Sequence, residues 1–303
     1  MKHSFAPTFS KSYILTLLSW LSLGVLLVST ANAQLAVRLQ MDKASYLLNE
    51  PVTATVSITN NAGREVVLKS SPSRPWLSFN VKSDGRTMPA VGKRRVKPVV
   101  IPVSKTVSKQ VVLSSSYALS NLARFSCTAS VNIAGVGGQG RLISSNRVSF
   151  AVATGKTVWS QRVGVPGSKS EIRDYKLIRF AGNKSPHLFA EISSVNRRKH
   201  IATVPLGKTL TFQDPSGELD KANNLHAVYQ VSPEIYIHTV ISIRGKIISA
   251  KYIKRSSGRP PRLVRQGDGS VYIAGGVPYD PEAAAVDKKK IHSSSERPRN
   301  TFQ

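Results

Sequence analysis

An alternating stretch of the chain decides the fold class: Val52-Thr53-Ala54-Thr55-Val56-Ser57-Ile58-Thr59. Its apolar residues occupy every second position, so they fall on one side of an extended chain while the hydroxyl residues fall on the other. This period of two is typical of a β-strand with one face in a core and the other in water. The turn residues Asn60-Asn61-Ala62-Gly63 then close the strand.

Short runs of the same kind recur on both sides of this strand. They lie at Leu35–Leu39, Glu65–Leu68, Trp76–Val81, Lys109–Leu113, Arg124–Val131 and Arg147–Val152. About seven short strands without a convincing helix predict a sandwich of two sheets, because each strand has one apolar face to bury.

Several segments of this region resemble a known family. Tyr46-Leu47-Leu48-Asn49-Glu50-Pro51-Val52, followed by Val56-Ser57-Ile58-Thr59-Asn60, is similar to the Y-x-x-G-E-P-V…V-x-N opening of bacterial Ig-like sandwiches. That group includes macroglobulin-type and BsuPI-type proteinase inhibitor domains. The segments 117–125 and 145–150 are similar to later parts of such domains. The resemblance covers residues 35–153 and implies an Ig-like β-sandwich, but it transfers no inhibitory or thioester residue to this chain.

After a sandwich domain at 34–153, a second body at 155–280 is organised as weak repeats. Three similar stretches begin at Pro186, Leu225 and Pro261, and their matching positions are 39 and 36 residues apart. Short strands at such a period resemble the blades of a β-propeller. A closed propeller needs at least about four blades, so we expect a partial, propeller-like antiparallel sheet or closure by self-association. The whole chain is therefore predicted to be all-β.

The two ends of the chain carry different signals. Residues 1–33 combine basic residues, an apolar run at 13–28 and a small-x-small ending at Ala31-Asn32-Ala33. This order predicts a signal peptide cut before residue 34, with a membrane anchor as the alternative. We therefore expect an exported protein, in the periplasm, at the cell surface or secreted, without a later transmembrane span. Residues 281–303 predict a disordered basic tail.

The residue types that carry enzyme chemistry are sparse and scattered. The single cysteine, Cys127, lies in an alternating strand and is predicted to be a core residue. The histidines show no HxH or HExxH spacing, although a hairpin between them would place His226 and His238 face to face. Neither G-x-S-x-G nor S-x-x-K occurs. We therefore predict a non-enzymatic protein without a metal site or cofactor.

Positive charge is the main functional signal. The chain has 43 Lys and Arg against 16 Asp and Glu, a formal net charge of +27. Such a field attracts anions and speeds encounters with polyanions. The residues that we expect to bind are Lys93, Arg94, Arg95, Arg197, Arg198 and Lys199. The expected partner is an anionic envelope polymer or another exported protein, and the alternative is a solvated surface typical of a proteome with a high pI.

Two other functions stay open beside this binding or structural role in the cell envelope. Blade-like repeats also occur in sialidase-like glycoside hydrolases, which would need two carboxylates facing one cleft. An Ig-like domain at 34–153 would alternatively dock or inhibit another protein through its exposed loops.

Overall fold

A computed structural model describes residues 35–71, 74–91, 96–133, 140–182, 185–256 and 258–284. The described residues form 22 strands arranged mostly in antiparallel sheets that do not close into a barrel. The all-β prediction is therefore confirmed. Within these ranges, no helix is both long and apolar enough to cross a bilayer. The expected signal peptide and most of the expected basic tail lie outside the described residues.

The first body contains strands β1 to β11. Their bounds are β1 Leu35–Met41, β2 Ser45–Leu47, β3 Thr53–Asn60, β4 Val66–Leu68, β5 Leu77–Ser83, β6 Arg86–Thr87, β7 Val99–Ile101, β8 Thr106–Val112, β9 Ala123–Ile133, β10 Arg141–Ser144 and β11 Val148–Ala153. One 3-10 turn, Leu113–Ser115, follows β8.

Two sheets of this body share one apolar core. The smaller sheet has the order β1–β3–β8, and the larger has the order β2–β11–β9–β5–β6, with β10 paired to β9. All of these pairings are antiparallel except that of β2 with β11. Strands β4 and β7 form a separate pair. The arrangement is a β-sandwich, because both sheets contribute buried residues to the same cluster.

The core of this first sandwich is built from the alternation that the sequence shows. Along β3 every second residue is buried, with Val56 and Ile58 fully so. Trp76 is also fully buried, and its indole nitrogen donates a hydrogen bond to the Lys97 carbonyl at 3.2 Å. The ring of Phe150 stacks on Phe125 with centroids 5.3 Å apart. These contacts stabilise the sandwich mainly through burial of apolar surface.

The second body contains strands β12 to β22. Their bounds are β12 Lys156–Gly164, β13 Ile172–Phe180, β14 His187–Ser194, β15 Lys199–Lys208, β16 Ser216–Leu219, β17 Leu225–Gln230, β18 Ile235–Ile241, β19 Ile247–Lys254, β20 Arg262–Arg265, β21 Val271–Ala274 and β22 Val277–Pro278. Residues 281–284 form a short helical turn.

The second body is also a sandwich. One sheet is the meander β12–β13–β14–β15 and the other has the order β16–β17–β18–β19–β22, all antiparallel. Tyr175 and Leu188 of the first sheet are buried in the same cluster as Leu225 and Ile241 of the second. Each of the three weak repeats forms an antiparallel hairpin: β14–β15, β17–β18 and β20–β21.

The two sandwiches meet where β11 ends and β12 begins. Leu47 of the first sandwich is buried with Ile178, Phe180 and Phe189 of the second. Between the two strands stands Gly155, where a Cβ would lie 2.5 Å from Ile178 Cγ2. The close approach of the backbone to β13 therefore requires a residue without a side chain.

Candidate functional site

The β14–β15 turn carries three of the residues that the charge pattern singled out. Val195 and Arg198 close this turn, with Arg198 N donating to the Val195 carbonyl at 3.2 Å and Arg198 at a φ of +46°. Arg197, Arg198 and Lys199 are all exposed. The short connection holds their backbone at the end of a long hairpin, while their side chains extend into water.

A second turn packs beside this one. The loop between β12 and β13 carries the exposed Lys169, and its Ser170 carbonyl accepts a hydrogen bond from Asn196 Nδ2 at 2.6 Å. Gly167, at a φ of +78°, allows the loop to reverse. The hydrogen bond fixes the two turns side by side, so Lys169 joins the basic residues of the β14–β15 turn.

The carboxylate beside these two turns, Glu171, already has arginine partners. Glu171 lies next to the two turns and pairs with Arg173 at 2.8 Å, while the largely exposed Arg197 lies 3.9 Å from its second oxygen. Among the described residues, no carboxylate lies within ion-pair distance of Lys169, Arg198 or Lys199. Within the described residues these three charges therefore form no ion pair, and solvent ions screen them.

A third turn, between β18 and β19, lies against β15. A Cβ at Gly245 would stand 2.2 Å from the Cβ of Ala202, and Gly245 has a φ of +79°. Ala202 is three residues beyond Lys199, which is about 10 Å along a strand. The exposed Arg244 and Lys246 flank this glycine. They carry positive charge to the same end of the second sandwich.

We call this surface the basic end. It consists of Lys169, Arg197, Arg198, Lys199, Arg244 and Lys246. The run in the sequence identified Arg197, Arg198 and Lys199. It missed the other three residues because they come from turns that meet only in the folded chain. The other candidate run, Lys93, Arg94 and Arg95, lies outside the described residues.

A histidine pair lies on the outer face of the second sheet. His226 Nδ1 and His238 Nε2 are 3.0 Å apart, and their rings stack with centroids separated by 5.2 Å. This confirms that the β17–β18 hairpin brings the two residues face to face. Burial, together with His226 and Lys251, lowers the pKa of His238 to about 4. At neutral pH His238 is therefore uncharged, and one ring donates to the other.

A carboxylate lies on the far side of the His226 ring. Its Nε2 lies 3.5 Å from the Asp220 carboxylate. That carboxylate accepts hydrogen bonds from the Asn224 backbone at 2.8 Å and from the Asn224 side chain at 2.9 Å. Burial opposes ionisation of Asp220, but these hydrogen bonds outweigh it and lower the pKa. Among the described residues, no cluster of three or more His, Cys, Asp or Glu is arranged to hold a metal ion.

Cys127 lies in the core of the first sandwich, as predicted. It is buried on β9, and this burial raises the pKa of its thiol to about 12. A thiol of this kind stays protonated at neutral pH and is a poor nucleophile.

A shallow groove of about 260 Å³ lies between the two sandwiches. The turn around Asn49 and the segment 117–120 form one wall, and His200 lies on the other. Glu50 is the one carboxylate among the lining residues. Its side chain forms an ion pair with Lys43 and accepts a hydrogen bond from Leu47 N at 2.9 Å. The groove therefore lacks the two facing carboxylates that glycoside hydrolysis requires.

Comparisons with known proteins identify no family for this chain. No protein-family model matches the chain, and no curated protein sequence matches it. Among solved structures, the chain is similar to the sporulation control protein Spo0M from Bacillus subtilis. The two are 10% identical, the match covers 57% of this chain and 90% of that chain, and the TM-score is 0.27. A likeness this weak supports no argument about function.

Proposed function

We propose that the chain is an exported, non-enzymatic binding protein of the cell envelope, and that its basic end binds an anionic polymer. The observation that carries this proposal is the meeting of three turns whose lysines and arginines largely lack carboxylate partners among the described residues. The signal-like residues 1–33 support the expected location outside the cytoplasm.

The distribution of acids in the second sandwich favours this surface over a uniformly solvated one. Six of its carboxylates lie within 4 Å of an arginine or lysine: Glu171, Asp174, Glu191, Asp214, Glu218 and Glu234. These local pairs leave the excess positive charge to residues such as Arg198, Lys199 and Lys246. An anionic chain that contacts several of them at once gains from each contact without a further loss of translational freedom.

The rigid sheets fix the positions of the basic residues of the basic end. Each turn is fixed by its hairpin, so binding requires ordering of side chains but not of backbone, which lowers its entropic cost. In this proposal the first sandwich, with its Ig-like segments, is a scaffold domain to which the second sandwich is attached. Docking of a protein by the loops of the first sandwich is the alternative that the Ig-like resemblance favours.

The test is a charge-reversal comparison with heparin as a defined anionic polymer. We expect Arg198→Glu combined with Lys199→Glu and Lys246→Glu to weaken binding by at least about tenfold at low salt, because attraction becomes repulsion. A control variant reverses three exposed charges of the first sandwich, Arg86, Lys105 and Arg141, and changes the net charge equally. It should weaken binding by less than about threefold.

Binding should also weaken as salt rises, since exposed charges are screened within about 8 Å at physiological ionic strength. Equal losses in the two variants would show that net charge alone attracts the polymer. Affinity that stays constant up to about 0.5 M salt would contradict an electrostatic mechanism altogether.

A further inference from the structure

One strand of the second sandwich has a partly open edge. β19 pairs with β18 from Ile247 to Lys254, with a register shift that leaves Ile248 without a partner residue. On its other side β22 pairs only with Ile253 and Lys254, and Tyr279 N adds a hydrogen bond to the Tyr252 carbonyl at 3.0 Å. Among the described residues, no strand pairs with that side of β19 from Ile247 to Lys251. We call this segment the open β19 edge.

The chain itself explains why pairing stops there. β22 runs antiparallel to β19, so its continuation would place Pro281 beside Ala250. A proline has no amide hydrogen to donate to a ladder. At that point the chain also turns away as a helical turn, in which Glu282 N donates to Asp280 Oδ1 at 2.9 Å and Ala284 N to the Asp280 carbonyl at 3.1 Å.

Among the described residues, no backbone group pairs with the outward amide and carbonyl groups of the open β19 edge. Residues two apart on a strand present their amide and carbonyl to the same side. Because Tyr252 faces β22 with its carbonyl, Ala250 presents its own amide and carbonyl away from β18. Ala250 is exposed, so an added strand can reach these groups.

The side chains of the edge define the chemistry of such a strand. Ile248 is 56% exposed and Tyr252 is 40% exposed. Lys251 points to the opposite face from Ala250 and Tyr252, since neighbours on a strand alternate. Lys251 and the exposed Arg255 have no carboxylate within ion-pair distance among the described residues. Ala250 and Tyr252 therefore make one face apolar, while Lys251 gives the other face a positive charge.

We propose that the open β19 edge binds an extended acidic peptide from another protein as an additional antiparallel or parallel strand. Alternating acidic and apolar residues place carboxylates on the Lys251 face and apolar side chains beside Ala250 and Tyr252. A second copy of this chain is disfavoured as the occupant, because it would set basic residues against basic residues. A polyanion without backbone amides leaves the Ala250 carbonyl unpaired, so charge alone does not satisfy this edge.

The test uses a fluorescent eight-residue peptide of alternating glutamate and valine, with both ends blocked, and measures binding by anisotropy. Two further versions carry N-methyl groups on either the valines or the glutamates. Because only every second amide of an added strand faces the sheet, one methylated version should bind at least about tenfold more weakly and the other within about threefold. This asymmetry leaves the protein unaltered, so misfolding does not enter the result.

Protein variants separate this edge from the basic end. Lys251→Glu should weaken peptide binding at least about fivefold, whereas Lys199→Glu, at the basic end, should change it less than about twofold. A block peptide of four glutamates followed by four valines should bind at least about tenfold more weakly than the alternating peptide. Retained binding of the block peptide, equal effects of the two methylations, equal effects of the two variants or a protein dimer closed through β19 would each overturn the proposal.

Discussion

The two sandwiches have similar architectures but different chemistry at their surfaces. In the first, the outer face of β3 and β8 carries neutral hydroxyl pairs, such as Ser57 with Ser108 at 2.9 Å and Thr59 with Thr106 at 2.8 Å. Of the ion pairs among the described residues, one lies in the first sandwich and nine lie in the second. Among the described residues, ion pairs therefore lie mainly in the second sandwich.

This difference shows that the shared fold does not determine the surface. An antiparallel sandwich fixes which residues are buried, whereas the outer positions of its strands and its turns accept many side chains. The first sandwich is expected to respond mainly to changes in its core, and the second to pH and to changes of charge. The four predictions below test this separation, beginning with the largest effect.

The largest effect is expected from the core of the first sandwich. Trp76→Ala removes a fully buried ring and its hydrogen bond to the Lys97 carbonyl. We expect the free energy of unfolding of this sandwich to fall by about 3 to 5 kcal/mol, since the cavity is too large to collapse completely. Urea unfolding measures the change, and Trp76→Phe serves as a milder control. A loss below about 1 kcal/mol would show that the first sandwich does not depend on this core.

The second effect is a histidine-dependent pH response of the second sandwich, since residues 35–153 contain no histidine. The pKa of His238 is about 4 in the folded chain and 6.5 in its ordinary state. The unfolded state therefore binds the proton more readily, and stability decreases as the pH falls from about 6.5 to about 4. We expect His238 to account for about 1 to 2 kcal/mol of this loss, reduced from the full shift because the side chain is partly exposed.

Urea unfolding at pH 7 and pH 4.5 measures this effect, with His238→Gln as the comparison. The carboxylates of the chain titrate in both proteins, so the difference between the two pH responses isolates His238. Identical pH responses of the wild type and His238→Gln would show that the histidine pair does not couple protonation to folding.

The strands and the histidine pair show what could be predicted from the sequence. β3 is evident because alternation is a local property of eight residues, and His226 and His238 meet because one hairpin joins them. Strands of three or four residues, such as β2 and β10, contain too few positions to show a period. Lys169 and Lys246 reach the basic end through sheet packing, which depends on contacts far apart in the sequence. The parallel pairing of β2 with β11 could not be predicted from the sequence for the same reason.

A third prediction compares one buried tyrosine hydroxyl in each sandwich. Tyr117 donates to the Phe79 carbonyl and Tyr229 to the Leu206 carbonyl, both at 2.6 Å. Each change to phenylalanine leaves one carbonyl without its donor and should cost about 1 kcal/mol. Urea unfolding should show similar losses of unfolding free energy for the two variants, because the strength of a hydroxyl–carbonyl hydrogen bond depends on burial and not on surface charge. A loss restricted to Tyr229→Phe would show that polar contacts stabilise only the second sandwich.

The smallest effect is expected at an exposed ion pair of the second sandwich. Lys254 and Glu234 lie 3.5 Å apart, but their side chains are 49% and 61% exposed. Water and salt screen such a pair, so Glu234→Gln should change the free energy of unfolding by at most about 0.5 kcal/mol. The same change to glutamine at Glu191, which is far less exposed and pairs with Lys176 at 3.6 Å, should cost more. If the two substitutions lowered the free energy of unfolding equally, burial would not govern the strength of these ion pairs. The many ion pairs of the second sandwich would then have to be attributed to its net charge alone.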